Sequence, residues 1–182
     1  MKRRSVAVFC GARMGAREDF AQVASRLGKK LGEAGHRLVY GGGHVGLMGL
    51  IADATLSAGG EVTGVIPSLL MDKEVGHRQL TDLRVVSSMH ERKALMENLS
   101  DIFVTLPGGF GTMDELNEII TWRQLGIHKK PIVILNHQGF YDYFLNFIQQ
   151  AIRDGFISQE HMNEIHICTT VEEVMMKVEN LS

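Results

Sequence analysis

The stretch LPGGFGTMDE, residues 106–115, combines three glycines, a threonine and two adjacent acids. Gly108, Gly109 and Gly111 allow a ligand to approach the backbone closely, because they carry no side chain. If a helix begins after them, its unpaired N–H groups and the Thr112 hydroxyl are suited to bind the oxygens of a phosphate. The stretch therefore predicts a phosphate-binding loop.

The acids that end this stretch have two interpretations. Thr112 and Glu115 fit the S/T-x-x-E capping box, in which Glu115 would only bond back to the start of its helix. Asp114 and Glu115 point about 100° apart on a helix, so only one of them can easily face a ligand. A sugar phosphate would keep a carboxylate away from the phosphate, with the phosphate on the loop and a sugar carbon near Glu115. The pattern alone leaves both interpretations open.

A cation is expected near such a loop, and the segment MHERK, residues 89–93, supplies two of them, Arg92 and Lys93. A run of charges most often forms a solvated helix face. This one opens a predicted helix at the carboxyl end of a predicted strand, which is where ligand sites lie in α/β sheets. Contact with an anionic ligand is therefore the second interpretation.

The elements that would position these residues are short apolar runs alternating with helical patterns. The apolar runs are continuous, which indicates strands buried on both faces and joined in parallel through helices. We predict one doubly wound, Rossmann-like α/β domain over residues 1–182, with a mostly parallel sheet flanked by helices. The predicted strands cover residues 5–10, 37–40, 61–66, 83–88, 101–106 and 131–135, with a further apolar stretch at 165–168, and residues 67–80 are predicted to form a loop.

Glycine loops follow the first, second and fifth predicted strands, and all three should lie along one edge of the sheet. The second loop contains G-x-G-x-x-G as Gly41, Gly43 and Gly46, but the next strand ends in IPS, without the acid that would hold the ribose of NAD. The Gly-Lys-Ser/Thr ending of a P-loop is missing from the sequence. A mononucleotide, which needs a single phosphate cradle, is the ligand that these loops favour, and Gly42, Gly43 and Gly46 are predicted to help bind it.

The composition limits which kinds of binding partner and cofactor are expected. The 182 residues are 45% hydrophobic and 22% charged with a net charge of −2, which favours neither nucleic acid nor an anionic membrane as a partner. No apolar segment approaches the roughly 20 residues of a membrane span. Cys10 and Cys168 are expected to be buried free thiols, as in a reducing cytoplasm. The histidines include no zinc motif, so no metal or other cofactor is expected.

The motifs PGGFGTMDE, MHERK and YGGGHVGLMG together resemble those of the LONELY GUY (LOG) family, which is also labelled lysine decarboxylase. The resemblance extends over nearly the whole chain through GHRLVYGGG, GGEVTGVIP, ITWRQLGIHKKP and DGFIS. It implies a phosphoribohydrolase that splits a nucleoside 5′-monophosphate, such as AMP or an N6-modified cytokinin nucleotide, into free base and ribose 5-phosphate. It also implies a homodimer.

The resemblance assigns roles to individual residues. Arg92 and Glu115 correspond to the family's catalytic pair. The residues that correspond to its nucleotide contacts are Lys93, Gly109 through Thr112, Thr121 and, by spacing in a variable loop, Glu74. Two positions depart from the family pattern, since Ala12 replaces a serine and His44 replaces a small residue.

Two other functions compete with hydrolysis. A nucleotide sensor or carrier without catalysis would share the fold and the phosphate loop. A pyridoxal-phosphate-dependent lysine decarboxylase needs a Schiff-base lysine in a much larger fold, so the length of this chain argues against it.

Overall fold

The computed structural model describes residues 3–73 and 75–181, and in these residues seven parallel strands form one sheet. The strands are β1 (Ser5–Phe9), β2 (Arg37–Tyr40), β3 (Glu61–Pro67), β4 (Asp82–Val86), β5 (Ile102–Thr105), β6 (Ile132–Leu135) and β7 (Ile165–Cys168). The helices are α1 (Glu18–Glu33), α2 (Gly46–Ser57), α3 (Met89–Leu99), α4 (Phe110–Gln124), α5 (Asp142–Arg153), α6 (Gln159–Asn163) and α7 (Val171–Asn180). The predicted fold class is confirmed.

The core lies on both faces of this sheet. On one face, α1, α2 and α7 bury residues such as Leu27 and Ile51 against the strands. On the other face, α3, α4 and α5 pack around Met96 and Leu116. The inner strands β1, β2, β3, β5 and β6 are buried on both sides, which explains why their sequences are continuous apolar runs and do not alternate. None of the helices in the described part of the chain has the length and apolarity needed to cross a lipid bilayer.

The strand order is β4-β3-β2-β1-β5-β6-β7, so the direction of winding reverses between β1 and β5. Ligands of open parallel sheets bind at such a reversal, outside the carboxyl ends of the strands. The loops that leave β1 and β5 are joined there, since the amide of Gly11 donates to the carbonyl of Pro107 at 3.1 Å. The order of the strands thus brings the first and third glycine loops together.

The segment between β3 and β4, predicted to be a loop, is more ordered than its polar sequence indicates. It begins with a 3₁₀ turn at Ser68–Leu70. It is then attached to the second glycine loop by a bridge between Gly43 and Gly76. The amide of His77 also donates to the carbonyl of Gly42 at 2.9 Å.

The pKa values of two buried histidines predict how the stability of the protein depends on pH. Burial lowers the pKa of His36 and of His128 below the ordinary value near 6.5. The unfolded chain therefore binds protons that the folded chain does not. The stabilisation that comes from keeping these rings neutral is fully present above about pH 6.5. It is lost as the pH falls towards the lower pKa values of the folded state. We expect the free energy of unfolding in urea to decrease between about pH 7.5 and about pH 5.5.

The control for this prediction is His128→Gln. His128 Nε2 donates to the carbonyl of Ile119 at 2.9 Å, and its Nδ1 accepts from the amide of Lys130 at 3.2 Å. The variant should be less stable than the parent at every pH, with a flatter decrease towards acid. An identical pH slope in the two proteins would show that His128 does not contribute to it.

Candidate active site

A cavity of about 650 Å³ opens at the reversal of strand order. Its walls come from the loop after β1, the loop between β5 and α4, and the start of α3. The lining residues are Cys10 through Gly15, Phe20, Leu47, Met48, Leu70, Met89, Arg92, Pro107 through Thr112, Glu115 and Phe140. The predicted site residues Arg92, Gly108, Gly109, Gly111, Thr112 and Glu115 are therefore brought together.

The start of α4 faces this cavity. Gly109 is the N-cap, and the first backbone bond of the helix runs from the amide of Met113 to the carbonyl of Gly109 at 3.0 Å. The amides of Phe110, Gly111 and Thr112 therefore have no partner within the helix, and with the helix dipole they can bind an anion. This is the geometry that the glycine loop predicts.

Gly108 and Gly111 lie in this loop for different reasons. A Cβ at Gly108 would overlap Oγ1 of Thr112 and lie 2.6 Å from its Cβ, so only glycine allows the loop to pack over that buried threonine. A Cβ at Gly111 would meet no atom of the described residues within 4 Å. The first glycine thus shapes the loop, whereas the second leaves the space above it open.

The capping-box interpretation of Thr112 and Glu115 is wrong. In a capping box the threonine would be the N-cap, but here Gly109 holds that place and α4 begins at Phe110. Thr112 is then the third helical residue and Glu115 the sixth, which puts Glu115 beyond the first turn. The helix begins early because Gly109 adopts an extended conformation, with φ of −101° and ψ of −151°, directly before it.

Arg92 and Glu115 meet at the floor of the cavity. Only 5% of Arg92 and 8% of Glu115 is exposed, and Nη2 of Arg92 lies 3.6 Å from Oε1 of Glu115. The pair is an ion pair without a direct hydrogen bond between these two atoms, since 3.6 Å is too long for one. A buried cation and a buried carboxylate thus lie beside the start of α4.

The orientation of Arg92 depends on a cap that the sequence analysis missed. Ser88, the N-cap of α3, accepts a hydrogen bond from the amide of Glu91 at 3.1 Å, and the carboxylate of Glu91 accepts from the amide of Ser87 at 2.8 Å. This exchange starts α3 at Met89, so that Arg92 projects into the cavity. The serine and the glutamate three residues later are the pattern that could have revealed it.

Cys10 lies at the end of β1 in the same cavity. It is a free, buried cysteine, as predicted. Burial, followed by the negative charge of Glu115, raises the pKa of its thiol well above the ordinary value. Cys10 therefore contributes a neutral surface beneath the charged pair.

Two of the residues assigned by resemblance lie elsewhere. Lys93 is mostly buried between α3 and α4, where Nζ lies 3.2 Å from Oδ2 of Asp114 and 3.1 Å from Oε1 of Glu118. Thr121 is exposed on α4, and its hydroxyl donates to the carbonyl of Asn117 at 2.8 Å. Neither lines the cavity within the described part of the chain. Glu74 lies outside the described residues.

The glycines of the second loop lie behind the cavity and do not line it in the described residues. Gly42 has a φ of +78°, and a Cβ there would lie 3.0 Å from Cβ of Ile66. A Cβ at Gly46 would lie 2.5 Å from the amide nitrogen of Arg13 in the first loop. Gly43 forms the bridge to Gly76. These contacts give the loop a packing function, and its contact with the substrate stays a prediction.

His44, the second departure from the family pattern, belongs to a polar cluster at the edge of this loop. Its Nε2 lies 3.0 Å from Oδ2 of Asp53, and Nε2 of His77 lies 2.9 Å from Oδ1 of Asp53. The donor atoms are close enough together for a metal ion. Nδ1 of His77, however, accepts from the amide of Gln79 at 3.3 Å, which places the proton on Nε2, facing Asp53. The arrangement is that of a hydrogen-bonded link between α2 and the segment that contains His77.

The apolar part of the cavity was also missed. Phe20 and Phe140 pack edge to face with ring centroids 5.5 Å apart, and Leu70 comes from the segment between β3 and β4. Phe20 lies at helical spacing with the buried Val23 and Leu27 of α1, but such periodicity does not distinguish a core from a cavity wall.

The fold and the cavity define a doubly wound α/β protein with an anion-binding helix start beside a buried arginine–glutamate pair. A family model described as "Possible lysine decarboxylase" matches residues 48–178. The chain is 48% identical over 176 residues to the cytokinin riboside 5′-monophosphate phosphoribohydrolase LOG of Oryza sativa subsp. japonica, covering 97% of this chain and 73% of that protein. It is 46% identical over 176 residues to the enzyme LOG5 of Arabidopsis thaliana, covering 97% and 77%. The chain belongs to this LOG family.

Solved structures share the fold at lower identity. The molybdenum cofactor carrier protein of Chlamydomonas reinhardtii superposes with a TM-score of 0.74 at 20% identity, covering 99% of this chain and 98% of that chain. The molybdenum cofactor binding protein of Rippkaea orientalis gives a TM-score of 0.73 at 18% identity, covering 100% and 98%. At these identities the likeness shows the fold alone.

Proposed function

We propose that this protein hydrolyses the N-glycosidic bond of a nucleoside 5′-monophosphate, AMP or an N6-modified cytokinin nucleotide, to the free base and ribose 5-phosphate. The observation that carries the proposal is the buried pair of Arg92 and Glu115 beside the free start of α4. The curated relatives are named for the 5′-monophosphate of a cytokinin riboside, which supports the same class of substrate.

The substrate's 5′-phosphate binds at the start of α4 in this proposal. The amides of Phe110, Gly111 and Thr112 point to it, and the positive end of the helix dipole favours its charge. The sugar then extends towards Glu115, which lies one turn further along the helix. Binding energy from the phosphate is available to hold the sugar in a reactive conformation.

Cleavage of the bond develops positive charge at the anomeric carbon of the ribose, as in other glycoside hydrolyses. The carboxylate of Glu115 stabilises this charge and accepts a proton from the attacking water. The hydroxide oxygen forms the new bond to the anomeric carbon, the electrons of the broken bond go to the base, and the base takes up the proton that Glu115 accepted from water. Arg92 compensates the charge of Glu115 and orients the ribose or the phosphate.

The residues that line the cavity support hydrolysis better than the decarboxylase activity in the description of the family model. A pyridoxal phosphate enzyme requires a lysine that forms a Schiff base with the cofactor. Among the described residues that line the cavity there is no lysine. The residues present therefore do not fit that cofactor, whereas they do fit a phosphorylated sugar.

The proposed function is tested by incubating the purified protein with AMP and with isopentenyladenosine 5′-monophosphate and measuring the free base by chromatography. Release of adenine or isopentenyladenine, with an equal amount of ribose 5-phosphate, is the expected result. Binding of both nucleotides without release of base would contradict hydrolysis and favour a carrier.

A separate prediction concerns the contribution of Lys93 to stability. Its ammonium compensates Asp114 and Glu118, so Lys93→Met should leave two carboxylates without their cation and lower the free energy of unfolding by about 1–3 kcal/mol. Denaturation in urea measures this loss. If Lys93 instead contacts the nucleotide, as the family resemblance implies, the variant will raise KM for AMP and leave stability unchanged.

We further propose that the protein is a homodimer. Tyr143 and Phe147 lie one turn apart on α5 and are 89% and 65% exposed. An exposed aromatic pair of this kind supports burial against a second copy. Sedimentation equilibrium should give the mass of two chains, and the mass of one chain at every concentration would contradict the proposal.

A cytoplasmic location is the last part of this proposal. Its support is that Cys10 and Cys168 are both free and buried, as expected where thiols stay reduced. Fractionation of the source cells would test it, and recovery of the protein outside the cytoplasm would contradict it.

A further inference from the structure

Gly41, the first glycine of the second loop, lies directly against the guanidinium of Arg92. A Cβ at this position would overlap Nη2 of Arg92, lie 3.0 Å from its Cζ and lie 3.3 Å from Sδ of Met48. The φ of Gly41 is outside the left-handed region, so its backbone conformation is open to any residue. Glycine is therefore needed at this position to leave room for Arg92, and not to allow a turn.

Hydrogen bonds contribute little to the position of this guanidinium. Nη1 donates to Sδ of Met89 at 3.8 Å, and a thioether is a weak acceptor. Nη2 is 3.6 Å from Glu115, and Nε is buried without a hydrogen-bond partner among the described residues. Packing therefore contributes to the position of the guanidinium, and Gly41 forms the wall behind it.

We propose that Gly41 is a positioning residue, which sets how far the guanidinium of Arg92 reaches into the cavity and hence its distance from Glu115. This inference rests on the proposed role of Arg92 in hydrolysis. A methyl group at position 41 would force the guanidinium away from the loop. Displacements of about 1 Å at a reacting site can lower the rate as much as roughly 100-fold.

The test is a double-mutant cycle of Gly41→Ala and Arg92→Ala, with kcat and KM for AMP and the thermal midpoint Tm measured for all four proteins. With Arg92 present, Gly41→Ala should lower kcat roughly tenfold or more and lower Tm. KM and the Kd for ribose 5-phosphate should change much less than kcat, because the amides that bind the phosphate at the start of α4 stay in place. With Arg92 replaced, the same substitution should change neither kcat nor Tm, since the methyl group then enters vacated space.

The Tm cycle keeps the inference testable if Gly41→Ala alone does not fold. In that case the double variant must fold, because the conflicting guanidinium is gone. Equal losses of Tm in both backgrounds would overturn the inference, and so would an unchanged kcat in a folded Gly41→Ala protein.

The cycle also separates this inference from the proposed function. A normal kcat for Arg92→Ala would remove Arg92 from the reaction and overturn both the catalytic role of Arg92 and the positioning role of Gly41. A strong loss for Arg92→Ala with no loss for Gly41→Ala would overturn only the role of Gly41.

Discussion

Glu115→Gln should lower the kcat for base release from AMP by roughly 100- to 10,000-fold, the range of a lost general base. The amide has nearly the same shape as the carboxylate, so the variant should fold. It neither accepts a proton from water nor stabilises positive charge at the sugar. KM should change much less than kcat, because the phosphate is bound by amides at the start of α4 and not by this side chain.

The neighbouring acid provides a matched control. Asp114 is 57% exposed and faces Lys93, so Asp114→Asn makes the same chemical change one residue away and outside the cavity. Its kcat should stay within a few-fold of the parent. Near-normal turnover by Glu115→Gln would exclude the mechanism proposed above, and equal losses in the two variants would indicate a general effect on α4.

Gly108→Ala should weaken nucleotide binding. The new methyl group would overlap Oγ1 of Thr112, a buried residue at the start of α4, so the loop must move. Movement of the loop shifts the amides that bind the phosphate. We expect KM for AMP and Kd for ribose 5-phosphate to rise roughly tenfold or more, with a loss of stability of about 1–3 kcal/mol from overpacking.

Gly111→Ala is the matched control for the loss of stability. It makes the same substitution three residues later, where a Cβ would meet no atom of the described residues within 4 Å. Alanine also favours a helix over glycine by about 1 kcal/mol, so the variant should be at least as stable as the parent. If Gly108→Ala binds ribose 5-phosphate as well as the parent does, the contact between Gly108 and Thr112 does not shape the phosphate site.

The fold was predictable because its signals are local. Continuous apolar runs indicated parallel strands, and the glycines that follow β1 and β5 marked the edge where the cavity lies. A cation near the third glycine loop was expected because two helices begin at this same edge. These inferences need only the chain direction and the order of elements, whereas the pairing of Arg92 with Glu115 was implied by the family resemblance.

Other features depend on how the helices rotate and pack, which spacing does not reveal. Lys93 follows Arg92 in the sequence, yet the turn of α3 directs it to Asp114 and Glu118, away from the cavity. The role of Gly41 depends on a side chain 51 positions later in the chain. The capping-box interpretation failed because the pattern at Thr112 could not show that Gly109, three residues earlier, is the N-cap.

The backbone of Gly11 joins all three glycine loops. Its amide donates to Pro107 after β5, and its carbonyl accepts from the amide of Leu47 at 3.0 Å, at the start of α2. Motion of any one loop is thereby resisted by the other two, so the floor of the cavity is stiff. Under the proposed function, bases of different size are then accommodated at the exposed rim, where Phe140 and Met14, at the far end of the first loop, are 38% and 45% exposed. In evolutionary terms, the rim can vary to change the preferred base while the floor retains the chemistry.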